Sequence, residues 1–461
     1  MGKTSVALVV LTAVFSIVVY RQVKFLYEVP TLPPLENTWW GPGDPSNEDK
    51  EIRPFKINVS DGVLKDLQQR LANALPFQEP LEGAKQHYGI NSKHLKNIID
   101  FWRTKYNWRE REKFLNQYPQ FTVSVQGLKI HYLHVKPKET KGVKVLPLLL
   151  LHGWPGSVRE FYEIIPLLTT PQKGRSFVFE VIAPSLPGYG FSEAATRPGL
   201  GSAQMAIVFK NFMARLGYEK YYLQGGDWGA AIVQNMASLF PDKIMAVHSN
   251  MCLITTPLSG VKLFLGSFYP PLIVSRELED KVHPLAEKMS AMMLELGYMH
   301  LQATKPDTVG VALRDSPVGL AAYILEKFTT WTNLAWKDLD DGGLTKKFSL
   351  TNLLDNVMIY WVTRSITTSM RLYSETFNQA SYDSQLENCL NNVPVRVPSA
   401  CARFSKDLLI HPESILRDKF KNLIHISDLE GGHFAAFEVP KTLADDVYAF
   451  IDKLETLQSS K

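Results

Sequence analysis

At 461 residues and 45% hydrophobic composition, the chain exceeds a minimal domain and can bury a large core, which argues against a disordered protein. Its 50 basic and 46 acidic residues leave a formal net charge of +4 with no prominent Lys/Arg block, which argues against nucleic acid as a partner. The three cysteines, Cys252, Cys389 and Cys401, are far apart and odd in number, so they read as ordinary core thiols and not as a disulfide framework or a zinc site.

In chain order, residues 1–27 are expected to form a transmembrane anchor. Thr4 to Tyr20 is uncharged, with Lys3 before it and Arg21 and Lys24 after it. As a helix this stretch covers about 25 Å, near the short end of what a bilayer core of ~30 Å requires. Bulky Ile17, Val18, Val19 and Tyr20 stand where a signal peptidase needs small residues, so the segment is expected to stay uncleaved. Arg21 and Lys24 on the downstream side place the rest of the chain in the cytosol.

Residues 28–54, rich in Pro, Gly and Asn, predict an extended linker. Val63, Leu64, Leu67, Leu71 and Leu75 recur at helical spacing behind Ser60-Asp61 and predict a helix over 61–75. A second helical stretch is predicted over 92–115, completing a helical region that extends from the linker to residue 120. Strand signals follow at 121–125 and 128–135, joined by Gln126-Gly127. Apolar runs at 145–151, 177–183, 221–224 and 244–248 alternate with helical stretches, which indicates a parallel sheet covered on both faces. Between about 255 and 385 the strand signal gives way to Met, Leu and aromatic residues at helical spacing, the pattern of a helical lid inserted between strands. Strand and helix alternation resumes with runs at 393–399 and 423–426 and a final helix at 441–454.

The chemistry concentrates in Gly225-Gly226-Asp227-Trp228-Gly229, at the end of one apolar run and the start of a helix. An acid between small residues at such a bend has the form of a nucleophile elbow. A carboxylate needs no base before it attacks, which leaves a histidine free for a second step. That histidine is expected to be His433, on the Gly-flanked loop Glu430-Gly431-Gly432-His433-Phe434. His152-Gly153-Trp154-Pro155-Gly156 follows the 145–151 run, where a loop can aim N–H groups at a developing oxyanion; the Trp154 and Trp228 N–H groups are the expected donors. Candidates for the acid that orients His433 are Asp407, Glu413, Asp428 and Glu430, of which Asp407 fits best between the last two strand signals.

These motifs together resemble the microsomal epoxide hydrolase family, and within it the insect juvenile hormone group. The resemblance spans nearly the whole chain. It includes the N-terminal apolar stretch, Trp39-Trp40-Gly41-Pro42-Gly43, the elbow, Gly297-Tyr298-Met299-His300, Ser369-Met370-Arg371-Leu372-Tyr373 and Gly431 to Phe437. It implies an α/β-hydrolase fold, a mostly parallel sheet flanked by helices, with a lid, an N-terminal helical domain and an N-terminal membrane anchor. The expected parts are an anchor at 1–27, linker and helical region at 28–120, core at 121–256 and 389–461, and lid at 257–388. The resemblance further implies Asp227 as nucleophile, His433 as base and Tyr298 and Tyr373 as donors to the epoxide oxygen. Family members often carry Glu as the charge-relay acid, and Leu408-Leu409 aligns Asp407 with that position. The implied activity is hydrolysis of lipophilic epoxides to vicinal diols, juvenile hormone among them, at the endoplasmic reticulum membrane. No cofactor or metal is called for, because carboxylate, imidazole and water complete the cycle.

A haloalkane dehalogenase also places Asp in this elbow but needs a halide site. A lipophilic-ligand carrier would have lost the catalytic set. An esterase is disfavoured because no Gly-x-Ser-x-Gly elbow exists in the chain.

Overall fold

A computed structural model describes residues 3–138, 140–378 and 384–459. Parts of the expected anchor and lid, residues 1–2 and 379–383, lie outside the described residues.

Nine strands form one sheet: β1 (Arg53–Phe55), β2 (Gln120–Val125), β3 (Leu128–Val135), β4 (Lys144–Leu151), β5 (Phe177–Pro184), β6 (Tyr221–Gly225), β7 (Ile244–Ser249), β8 (Ser399–Phe404) and β9 (Leu423–Leu429). Their order is β1-β2-β3-β5-β4-β6-β7-β8-β9. The first three strands are antiparallel, and everything from β5 to β9 is parallel. Leu148 to Leu151 and Val181 to Ala183 are almost wholly buried, as a sheet covered on both faces requires. In such sheets the carboxyl ends of the strands, where connections diverge, are the place for a site.

The β2–β3 hairpin turns through Gln126 (φ 51°) and Gly127 (φ 81°), the paired left-handed geometry that matches strand twist. A side chain at Gly127 would meet the Trp39 ring, so the linker is clamped to this turn: Trp40 N donates to Gln126 O at 2.8 Å, and Trp40 is buried. The linker also contributes β1, an edge strand too short to be read from Arg53-Pro54-Phe55.

The helical region resolves into Asp61–Ala72, Ser92–Thr104 and Trp108–Leu115. The expected helix over 92–115 is thus two helices, because Asn107 caps the second by accepting from Arg109 N. Leu75 lies beyond the first helix and is exposed. This region is tied to the core and lid through buried Asp355, which accepts from Arg111 Nη2 (2.7 Å), Arg159 Nε (3.0 Å) and Tyr106 OH (3.0 Å). Leaving such a buried charge uncompensated costs about 3–5 kcal/mol, so the network holds three distant segments in register.

Among the described residues 257–377 is entirely helical or looped, from Pro257–Gly266 to Ile366–Phe377, and it forms the lid. Four expectations need correction. The 393–399 run makes only the bridge Val395 to Phe420, because Pro394 and Pro398 lack ladder donors; the strand is Ser399–Phe404, with small residues that carry little β signal. The helical stretch expected between the 145–151 and 177–183 runs is broken into a short turn at Val158–Phe161 and a helix at Ile165–Thr169. Cys252 and Cys401 are joined in a disulfide: Cys401 pairs with Ser249 across β7 and β8, bringing together residues 149 apart in sequence, while Cys389 is free. Finally, Lys3–Tyr27 is a helix, but among the described residues no helix is long and apolar enough to cross a membrane. Arg21, Gln22 and Lys24 cut short its apolar run.

Candidate active site

β6 ends at Gly225, and the helix Trp228–Leu239 begins three residues later, so Asp227 sits on the bend with φ 51° and ψ −128°, a conformation L side chains rarely adopt. The bend closes because Gly225 and Gly229 lack side chains: a Cβ on Gly225 would lie 2.5 Å from the Gly229 carbonyl carbon, and one on Gly229 would run into the Leu151 carbonyl. A Cβ on Gly153 would likewise strike the Asp227 carboxylate.

That close approach lets the Trp154 N–H donate to Asp227 Oδ1 at 2.7 Å. The Trp228 N–H occupies the first position of its helix, where no preceding turn supplies an acceptor. The oxyanion loop is held from several sides. His152 Nε2 accepts from Leu186 N (3.1 Å) while its Nδ1 meets Gly153 O (3.0 Å), and burial pulls its pKa down to about 4, so it is a neutral brace. From the lid helix Leu350–Thr363, Asn356 donates to Pro155 O and Tyr360 to Gly156 O, both at 2.7 Å.

His433 lies between two carboxylates: Nδ1 is 2.8 Å from Asp407 Oδ1 and Nε2 is 3.3 Å from Asp227 Oδ2. Burial lowers its pKa, but the Asp407 charge and the hydrogen bonds to Asp227 and Asp407 outweigh burial and hold it up at about 10. The loop is fixed by the His433 N–H donating to Trp331 O at 3.0 Å, and a side chain on Gly432 would collide with the backbone of Thr332. The other acid candidates face elsewhere: Glu413 pairs with Arg417, Asp428 with Arg403, and Glu430 accepts from Ser405.

The lid brings Tyr298 and Tyr373 over this group with their hydroxyls hydrogen-bonded to one another. Tyr298 stacks on Trp154, ring centres 5.2 Å apart, and Tyr373 stands edge-on to Trp228 at 4.8 Å. Burial, reinforced by the Asp227 charge, pushes both phenols well above their ordinary range, so each stays an O–H donor. The structure therefore brings Asp227, His433, Asp407, Tyr298, Tyr373 and the Trp154 N–H into one cluster. Sequence reasoning missed His152 as a brace, Asn356, Tyr360, Asp355 and Glu160. Their one available signal was polarity inside apolar stretches, as in Leu353-Leu354-Asp355-Asn356-Val357.

A nucleophile elbow, a late histidine and a lid over a largely parallel sheet define an α/β-hydrolase. Family models agree: one described as "alpha/beta hydrolase fold" matches residues 147–440, and one described as "Epoxide hydrolase N terminus" matches residues 52–161. The chain is 51% identical to juvenile hormone epoxide hydrolase 1 of Ctenocephalides felis, over 100% of this chain and 98% of that protein. It is 47% identical to epoxide hydrolase 1 of Oryctolagus cuniculus, over 92% and 94% of the two chains. The crystal structure of juvenile hormone epoxide hydrolase from Bombyx mori superposes with TM-score 0.89 at 50% identity, covering 92% of this chain and 100% of that one. An Aspergillus niger epoxide hydrolase structure gives TM-score 0.72 at 30% identity, over 89% and 98%. The chain belongs to the epoxide hydrolase family.

Proposed function

We propose that this epoxide hydrolase converts lipophilic epoxides, juvenile hormone among them, to vicinal diols through an ester on Asp227. The observation that carries the reading is the contact chain Asp407–His433–Asp227 beneath two phenol donors. Asp227 Oδ1 is engaged by the Trp154 N–H, so Oδ2 is the oxygen that attacks an epoxide carbon. The C–O bond of the strained ring breaks as Tyr298 and Tyr373 donate to its oxygen. His433 then takes a proton from water, the water oxygen adds to the ester carbonyl, and the negative charge gathers on the oxygen facing the Trp154 N–H. Collapse breaks the bond between Cγ and the alkyl oxygen, which takes the proton from His433; the second water proton, left on the Asp227 carboxyl, returns to the phenolate of the tyrosine that protonated the ring oxygen, and the diol leaves.

Support for juvenile hormone comes from the names and near-full-length identity of the insect relatives. Specificity constants should be at least tenfold higher for juvenile hormone than for an aryl epoxide such as styrene oxide; equal or reversed values would overturn the substrate assignment.

We also propose that the helix Lys3–Tyr27 attaches the enzyme to the endoplasmic reticulum membrane. From Thr12 to Phe25 its side chains are exposed, and they include Val14, Phe15, Ile17, Val18 and Val19. Flanking charge favours a cytosolic body, whereas a disulfide belongs to an oxidising compartment. Protease digestion of sealed microsomes separates the two orientations, since a cytosolic body is cleaved and a lumenal one protected.

A further inference from the structure

Behind the elbow lies a cavity with about 20 Å³ for the centre of a water-sized molecule, lined by Gly153, Glu160, Gly226, Asp227, Asn250 and His433 among others. A single water needs about 10–15 Å³ of such space and two to four polar partners. Both ends of the second half-reaction open onto it, the Asp227 carboxyl and the His433 imidazole. The third ionisable group there is Glu160, in the turn Val158–Phe161 that follows the oxyanion loop.

Glu160 has no use in the fold that would account for it. Among the described residues its carboxyl has no hydrogen-bond or ion-pair partner, although Arg159 and Glu163 on either side are engaged with Asp355 and with each other. Its carboxyl packs under the loop, so that a Cβ on Gly156 would come within 3.2 Å of Oε2. The side chain is half-buried and faces the cavity, where a solvent molecule can complete the carboxyl that no protein group meets.

We infer that Glu160 is a catalytic residue of ester hydrolysis, binding the attacking water against His433 and aiming its lone pair at the Asp227 carbonyl carbon. Burial holds the Glu160 carboxyl up at about 8, with Asp227 raising it and His433 lowering it, so at neutral pH it is mostly an uncharged acid able both to donate and to accept. Tyr360, the other titratable group within its electrostatic reach, is held protonated by burial. One water O–H bond points to His433 and gives up its proton there, while the other is held by the Glu160 carbonyl oxygen. Glu160 itself neither gains nor loses a proton over the cycle. During alkylation it touches nothing that reacts.

The inference rests on the Asp227 ester, and its test separates the two. Full-length wild type, E160Q and E160A are mixed with excess epoxide. Ester formation and decay are followed by quenched-flow mass measurement of the Asp227 peptide. Alkylation should stay within about threefold in both variants, whereas ester decay should fall about 100-fold in E160A and about tenfold in E160Q, whose amide keeps the donor and acceptor. Equal slowing of both steps, or decay within threefold of wild type, overturns the role. Should E160A not fold, the same comparison in E160Q decides it. Absence of any ester in the wild type would instead overturn the functional reading, whatever Glu160 does.

Discussion

With Asp227 replaced by Ala, turnover of any epoxide falls by about 10⁴-fold or more, because the group that forms the covalent bond is gone and only positioning remains. The same chemistry gives a positive signature in the unaltered protein. After a single turnover in oxygen-18 water, label appears in the peptide containing Asp227, since water attacks the carboxyl carbon and leaves its oxygen there. Diol that carries the label while the peptide stays unlabelled would show that water attacks the epoxide directly, and the ester mechanism would fail.

His433→Gln divides the cycle. Alkylation should survive, because the Asp227 carboxylate needs no base, while ester hydrolysis slows by about 10³-fold and the adduct accumulates to one per chain. Failure to trap an adduct would remove His433 from the second step. The free protein holds this imidazole up at about 10, with Asp227 contributing to the rise. Esterification makes Asp227 neutral and withdraws that contribution, so the imidazole becomes an available base at lower pH in the intermediate than in the resting state. The ester-decay rate should therefore rise with pH through a midpoint below 10, and below the titration of His433 observed by NMR in free protein; coincident midpoints would contradict the coupling.

Much of this arrangement was readable in order of appearance. The elbow could be read because a tight bend dictates small residues at fixed offsets, so Gly225 and Gly229 mark Asp227 whatever surrounds them. His433 was readable by chain order and by its flanking glycines. Tyr298 and Tyr373 were not readable from physics, since each is one aromatic among many in the lid helices, and only family resemblance singled them out. The β8 strand was misplaced because periodicity favoured a Val-rich run over Ser399-Ala400-Cys401-Ala402, although Pro394 and Pro398 were visible. Glu160, Asn356 and the disulfide depend on residues that meet only after folding; no local rule carries a contact across 149 positions. The reading of the first helix as a membrane span rested on the uncharged stretch, its flanking charges and the family resemblance, while the structure's helix runs on through Arg21 and Lys24.

The grip of the lid helix Leu350–Thr363 on the oxyanion loop bears on how substrate gets in. Asn356 and Tyr360 hold the carbonyls of Pro155 and Gly156, and neighbouring Asp355 anchors the same helix to Arg159 and Arg111. Swinging this helix outward would dismantle the catalytic pocket each time a molecule entered. Its partner segment is differently built: Leu285–Glu295 buries none of its residues and exposes Met289, Met293 and Leu294. Half of the cover is thus a fixed ceiling, and passage falls to the looser half that ends at Tyr298. Sequence drift in that looser half can retune which epoxides are admitted while the reacting groups keep their alignment.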